Sequence, residues 1–229
     1  MKRHLPHIIV SIIALTLAAC GGSAESETRS QPYFVATSAD WRGTTEAMCV
    51  RETQPDRYAS VTPLAPISER GACGARQPFD MAATFNGGIA LSPSATMRCS
   101  MVNATDEWLN GIVQNAAREH FRERVTSVRV AASYACRPRN NQRGAKLSEH
   151  GYANALDISA FTFENGETVT VTEGWNGSRK ERRFLRAVHE GACEIFSTVI
   201  GPDGDAAHRT HFHVDLARHG RAGTYKYCR

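Results

Sequence analysis

The sequence predicts an α+β fold, a single domain with a small, mainly antiparallel sheet flanked by helices. Three observations predict it. Short segments with the two-residue alternation of strands are interspersed with two longer segments at helical spacing. The two kinds do not alternate regularly, so a parallel sheet built from strand–helix–strand units is not expected. The folded part, about residues 36–229, has the length of one domain.

Taken in order, residues 55–93 hold five of the nine prolines and several glycines, which predicts loop with short extended pieces. Ser92-Pro93 looks like a helix N-cap followed by proline in the first turn. A helix is predicted from there to about Glu123, with Met97, Met101, Trp108, Leu109, Ile112 and Ala116 on its buried side. Residues 127–134, with Val128 and Val130, read as a strand. A polar loop follows over 137–149, then a strand over 155–163. Asn165-Gly166 is a hairpin signal, with a return strand over 167–172. Ser178 and Glu181 form a capping box. That box opens a helix to about Phe196, burying Phe184, Leu185, Val188, Cys193 and Phe196. Short strands are predicted over 197–200 and 211–216.

The chain starts differently. Met1-Lys2-Arg3-His4 is short and basic, and an apolar run from Ile8 to Ala19 follows. That run is too short to span a membrane and has the form of a secretory signal, residues 1–19. Leu17-Ala18-Ala19-Cys20 resembles the bacterial lipobox, in which the cysteine becomes the lipidated N-terminus. The resemblance implies export and anchoring through Cys20 to a membrane facing the wall. With Gly21 rather than aspartate next, it implies the periplasmic side of an outer membrane. Residues 20–35, rich in Ser, Glu and Gly, read as a flexible tether. Without Lys2 and Arg3, 25 basic residues stand against 23 acidic ones, a balance that gives no reason to expect nucleic acid as a partner. Six cysteines remain, Cys49, Cys73, Cys99, Cys136, Cys193 and Cys228, and an even number in an exported chain predicts disulfides. Fifteen pairings are possible; sequential pairing, Cys49–Cys73, Cys99–Cys136 and Cys193–Cys228, is the expectation carried forward. No CxxC pair occurs, which argues against a zinc–thiolate knot.

Two segments carry metal chemistry, Ser148-Glu149-His150 through Asp157 and His208-Arg209-Thr210-His211-Phe212-His213-Val214-Asp215. A catalytic zinc takes three protein ligands, from imidazole or carboxylate, and leaves a position for water. Alternate strand residues share a face, so His211 and His213 point the same way. With nine histidines some clustering arises by chance, and an HxH pair alone is more often not a ligand set. Glu149 and Asp215 are placed on the opposite side of their strands from the ligands and read as supporting or surface groups. His120 and His189 read as helix residues, and His219 as part of a basic tail. Trp175 reads as core, close enough to the site to line it.

Ser148-x-His150-x-x-x-x-Ala155-x-Asp157 followed by His211-x-His213 resembles the signature of the zinc peptidases that group D-Ala-D-Ala peptidases, lysostaphin-type enzymes and hedgehog domains. Within that group, His208-x-x-His211-x-His213 is most similar to the penicillin-insensitive murein endopeptidases. Over nearly the whole mature chain the sequence resembles the bacterial extensin-like C-terminal domain family. Thr62-Pro63-Leu64-Ala65-Pro66, Ala90-Leu91-Ser92-Pro93, Ser133-Tyr134-Ala135-Cys136-Arg137 and the terminal Tyr227-Cys228-Arg229 carry that likeness with the two segments above. The resemblance implies a hedgehog/D-Ala-D-Ala-peptidase-like fold, a Zn2+ ion on His150, Asp157 and His213, and proton handling by His211 and His208. It makes Arg137 the donor to a developing oxyanion and Ser148 a support to the ligands. Many D-Ala-D-Ala peptidases carry an acid where this chain has Thr210, so the base falls to His211 or to a carboxylate from elsewhere. The function implied is cleavage of peptidoglycan cross-links or stem peptides. The competing readings are a non-catalytic zinc domain that binds wall peptides or a protein partner, and a structural lipoprotein whose histidines hold no metal.

Overall fold

Apolar runs and caps set the elements of the computed structural model, which describes residues 41–69 and 71–229. The expected signal (1–19), Cys20 and the tether (20–35) lie outside the described residues. The compact unit to which the described residues belong is Ala36–Arg229. Helix α1 (Trp41–Thr53) comes first, an element that the proline-poor start of the domain did not announce. Strands β1 (Val61–Pro63), β2 (Ile67–Ser68), β3 (Gly74–Ala75), β4 (Pro78–Ala83) and β5 (Ala90–Arg98) follow. Then come helices α2 (Cys99–Glu107) and α3 (Gln114–Phe121), joined by a π-helical turn over Trp108–Val113. Strands β6 (Val125–Ala132), β7 (Ala155–Phe163) and β8 (Thr168–Thr170) lead to the short helix α4 (Val171–Gly174) and to α5 (Arg179–Ile195). Strands β9 (Thr198–Ile200), β10 (Phe212–Asp215) and β11 (Tyr227–Cys228) end the chain.

The main sheet of the described residues has nine strands in the order β1-β4-β5-β6-β7-β10-β9-β11, with β8 against β7, and a separate pair joins β2 to β3. It is therefore larger than expected, and it is mixed: β5 runs parallel to β6, and β11 parallel to β9. The reason lies in the stretch expected to be one helix from Ser92 to about Glu123. Its first third is strand β5, and the helix begins at Cys99. The ladder of β5 to β6 ends at Ser92 and its contiguous ladder to β4 begins at Ala95, so Pro93 sits where its missing N–H removes no paired bond. What read as a single helix is a strand–helix–strand crossover, which delivers β6 parallel to β5.

Strand β7 is the centre, buried along most of its length. Val130 faces Ile158 while Arg129 faces Ala160, which leaves Ser159 as a bulge. The bulge shifts the alternation by one, so that Leu156, Ile158, Phe161 and Phe163 all join one apolar core. On that face lie α2, α3 and α5, with Trp108, Phe184, Phe196 and Phe212 fully or almost fully buried. The Trp108 indole donates to the Val188 carbonyl at 3.1 Å, so its one polar atom is satisfied in the core. Gly191 lets α5 approach the π turn, since a Cβ there would meet Ile112 at 2.4 Å. The Ser178–Glu181 capping box forms as expected, and Gly166 takes the positive φ that its turn requires.

The six cysteines are paired, but only one pair is the expected one. The bonds are Cys49–Cys99, Cys73–Cys136 and Cys193–Cys228. Cys49–Cys73 and Cys99–Cys136 are corrected because proximity in sequence is not proximity in space. Helix α1 packs on α2, which brings Cys49 to Cys99, and the β2–β3 hairpin meets the loop that leaves β6, which brings Cys73 to Cys136. Closing loops of 50, 63 and 35 residues, each bond contributes typically about 2–4 kcal/mol.

Candidate metal centre

The face of the sheet away from the helices carries the polar site. Strand pairing sets His213 of β10 directly opposite Asp157 of β7, while their neighbours Phe212, Val214, Leu156 and Ile158 point into the core. His150 arrives from the loop side, on a 3-10 turn over Glu149–Tyr152. Ser148 caps that turn, its hydroxyl accepting from the His150 N–H at 3.4 Å. His150 Nδ1 lies 2.5 Å from the Ser133 carbonyl and donates to it, which turns Nε2 toward Asp157 and His213.

Three donor atoms converge. His150 Nε2 is 3.2 Å from Asp157 Oδ1 and 3.2 Å from His213 Nδ1, and His213 Nδ1 is 2.8 Å from Asp157 Oδ1. Tetrahedral bonds of about 2.0–2.1 Å put neighbouring ligand atoms about 3.3 Å apart, so the triangle is of the right size for zinc. Among the described residues this is the one buried group of His, Cys, Asp and Glu whose donor atoms come this close. The outer contacts fit as well. His213 donates from Nε2 to Asp215 Oδ2 at 3.0 Å, and Asp215 in turn accepts from the Ala217 N–H. Both histidines thus have their second nitrogen held by an acceptor, the arrangement that orients imidazole ligands. The opposite-face reading of Asp215 is corrected: two residues beyond His213 on one strand, it shares the His213 face. Glu149 is buried rather than superficial, bound by Arg42 and by the Asn154 amide.

These contacts set the charges. Burial opposes ionisation of Asp157, but hydrogen bonds from His150 and His213 outweigh it and hold the carboxyl far below its ordinary range. Burial likewise opposes charge on His213, and the hydrogen bonds and charges of Asp157 and Asp215 overcome it, holding the imidazole up at about 9. His211 goes the other way: burial lowers it despite the nearby Asp157.

The remaining expected residues surround the triangle in a cleft of about 460 Å³. His211 stands just before β10, with Nε2 3.6 Å from Asp157 Oδ2. Arg137 brings Nη2 to 3.8 Å from the same oxygen. His208 is buried, its Nδ1 2.7 Å from Asp205 Oδ1, with its ring centroid 5.3 Å from that of His211. His219, read as a tail residue, lies instead on the cleft wall with Nε2 2.7 Å from Thr198 Oγ1. Only the fold brings it there, because the segment after β10 turns back along β9. Trp175 does not line the cleft; its indole donates to Asp203 and its ring packs on His189 and Phe212. His120 and His189 lie on helices away from the cleft.

A family model described as extensin-like protein C-terminus matches residues 47–229. No curated protein and no solved structure matches the chain.

Proposed function

The chain belongs to the extensin-like protein C-terminus family, and we propose that it is a zinc metallopeptidase that cuts peptide cross-links or stem peptides of bacterial peptidoglycan. The carrying observation is the triangle of His150 Nε2, His213 Nδ1 and Asp157 Oδ1, with both imidazoles held from behind by Ser133 and Asp215. The motif order supports kinship with the lysostaphin, D-Ala-D-Ala-peptidase and hedgehog group, and with it a related fold. Zinc bound there supplies a Lewis acid and a water that ionises near neutral pH. The protein supplies the rest. His211, kept neutral at pH 7 by burial, accepts a proton at Nε2 beside Asp157 and passes it to the leaving amine. Arg137 donates to the oxygen on which negative charge develops. His208, oriented by Asp205, steadies the substrate end of the cleft.

Incubating the purified chain with intact muropeptides, with and without a chelator, and weighing the products tests the reading. Chelator-sensitive cleavage supports it. Zinc binding without cleavage of any wall fragment would favour the non-catalytic domain instead.

Zinc binding should depend on pH in a set direction. A proton on His213 Nδ1 competes with the metal for one lone pair. The folded-state value of about 9 lies above the ordinary 6.5, so the proton is present at pH 7 and lost as pH rises through 9. Zinc at pH 7 should therefore release about one proton per ion, and affinity should rise about tenfold per pH unit before levelling. Calorimetry in buffers of different ionisation heat measures this; no proton release at pH 7 would refute it.

We further propose that the chain is exported and anchored through lipidated Cys20, facing the wall from the outer membrane. The lipobox likeness supports this, and three disulfides suit an oxidising compartment. No described helix is long and apolar enough to cross a membrane. A Cys20→Ser chain should move from the membrane to the soluble fraction and keep its activity; retention in the membrane would place the anchor elsewhere.

A further inference from the structure

The loop over residues 137–146 reads Arg-Pro-Arg-Asn-Asn-Gln-Arg-Gly-Ala-Lys, four cations and no acid in ten residues. It is not loosely placed. Pro138 bridges to Leu147, the Arg139 N–H donates to the Lys146 carbonyl at 2.9 Å, and the Ser148 N–H donates to the Arg137 carbonyl at 3.1 Å. Asn140 and Asn141 both take left-handed backbone angles, φ 52° and 55°, which turn the chain over at the tip. The disulfide Cys73–Cys136 ties down its first end. Arg137, Arg139, Asn140 and Asn141 form a wall of the metal cleft.

The charges of the cleft do not cancel. Each acid that lines it already has a cationic or imidazole partner: Glu149 has Arg42, Asp205 has His208, Asp215 has His213, and Asp157 has its histidines. Arg137 reaches Asp157 only at 3.8 Å. Among the described residues Arg139, Arg143 and Lys146 make no ion pair. Of these Arg139 lines the cleft beside Arg137, so surplus positive charge is held on a pinned loop in the wall of the candidate metal centre. Guanidinium forks match carboxylates in a bidentate way. Arg137 Nη2 lies 3.8 Å from Asp157 Oδ2, so an anion that meets Arg137 and Arg139 sits in the same cleft as the donor triangle, close enough to be part of one peptide.

We propose that the 137–146 loop is the specificity element of the cleft, and that it selects peptides with a free carboxylate within about one residue of the bond to be cut. The inference rests on the peptidase reading for the word "cut", while the selection for a carboxylate is a binding property. It makes amidation of that carboxylate a change the enzyme senses.

The test uses pairs of cross-linked peptides that differ only in one side-chain carboxylate, free or amidated. Steady-state kinetics are run on the zinc-loaded wild type, Arg139→Ala, Arg139→Lys and the Arg143→Ala/Lys146→Ala double variant. In parallel, fluorescence anisotropy of the same labelled peptides on a His211→Ala chain measures binding without turnover. A charge-assisted pair predicts a KM about tenfold lower for the free acid. That preference should fall to about twofold or less in Arg139→Ala, with kcat held within about twofold, and return in part in Arg139→Lys. If no peptide is cut but the free acid still binds better, and Arg139→Ala abolishes the difference, the peptidase reading fails and the selection stands. Turnover with equal KM for both peptides, a preference that survives Arg139→Ala, or equal binding of a peptide-free polyanionic glycan would each overturn the selection.

Discussion

A His150→Ala chain is expected to lose its zinc on dialysis while wild type retains about one ion per chain. In the proposed centre His150 is one of three protein ligands, and its Nε2 is 3.2 Å from each of the other two donor atoms. Removing a hydrogen-bond partner that merely supports a ligand costs about 10–100-fold in metal affinity. Removing the ligand itself should cost more than the upper end of that range. The same scale predicts an intermediate result for Asp215→Asn, which keeps His213 but weakens the acceptor at its Nε2. The fold should survive His150→Ala, because the apolar core lies on the far side of the sheet. Its cost in stability is the lost imidazole bond to the Ser133 carbonyl and the Asp157 contact, about 1–3 kcal/mol. Circular dichroism melting separates that cost from metal loss. Full zinc content in a folded His150→Ala chain would remove His150 from the site and with it the proposed centre.

What could be read from the sequence, and what could not, follows from the range of the interactions. Strand β7 was legible to its ends because a mostly apolar segment between a polar loop and the Asn165-Gly166 turn signal reads as a strand. Helix α5 was legible because Ser178 and Glu181 satisfy each other's backbone donors locally. Strand β5 was misread because Ser-Pro is a local helix-start signal, while the pairing that makes it a strand comes from β4 and β6, non-local in sequence. The disulfides failed for the same reason. Both unexpected bonds join elements that meet only after the α2–α3 crossover and the β2–β3 hairpin are placed. At the site, His150, Asp157 and His213 were singled out by the family resemblance that their segments carry, and their donor atoms lie close together in the structure. Asp215 was within reach of the same logic, since alternation places i and i+2 on one face. His219 was not, because its approach to Thr198 depends on how the chain folds back after β10.

Replacing His211 with alanine is expected to leave zinc bound and to lower turnover by about 10²–10⁴-fold. The metal should stay because His211 contributes no atom to the donor triangle; its nearest approach is Nε2 to Asp157 Oδ2 at 3.6 Å. The rate should fall because a proton must leave the attacking water and reach the leaving nitrogen, and the other imidazoles are committed. His150 is engaged by the Ser133 carbonyl, His213 by Asp215, and His208 by Asp205. Burial keeps His211 neutral near pH 7, which is the state that can accept. His208→Ala should cost less, since its Nδ1 proton is held by Asp205 and the ring stands beside His211 rather than beside Asp157. Arg137→Ala should retain zinc and lose about 10²–10³ in kcat, the range for one oxyanion donor. The measurement is kcat on cross-linked muropeptides for the three variants and wild type, with zinc content determined on the same samples. Equal rates for His211→Ala and wild type at equal zinc content would remove His211 from the mechanism. The proton would then have to travel through a carboxylate, with Glu149 closed off by Arg42 and Asn154 and Asp215 by His213.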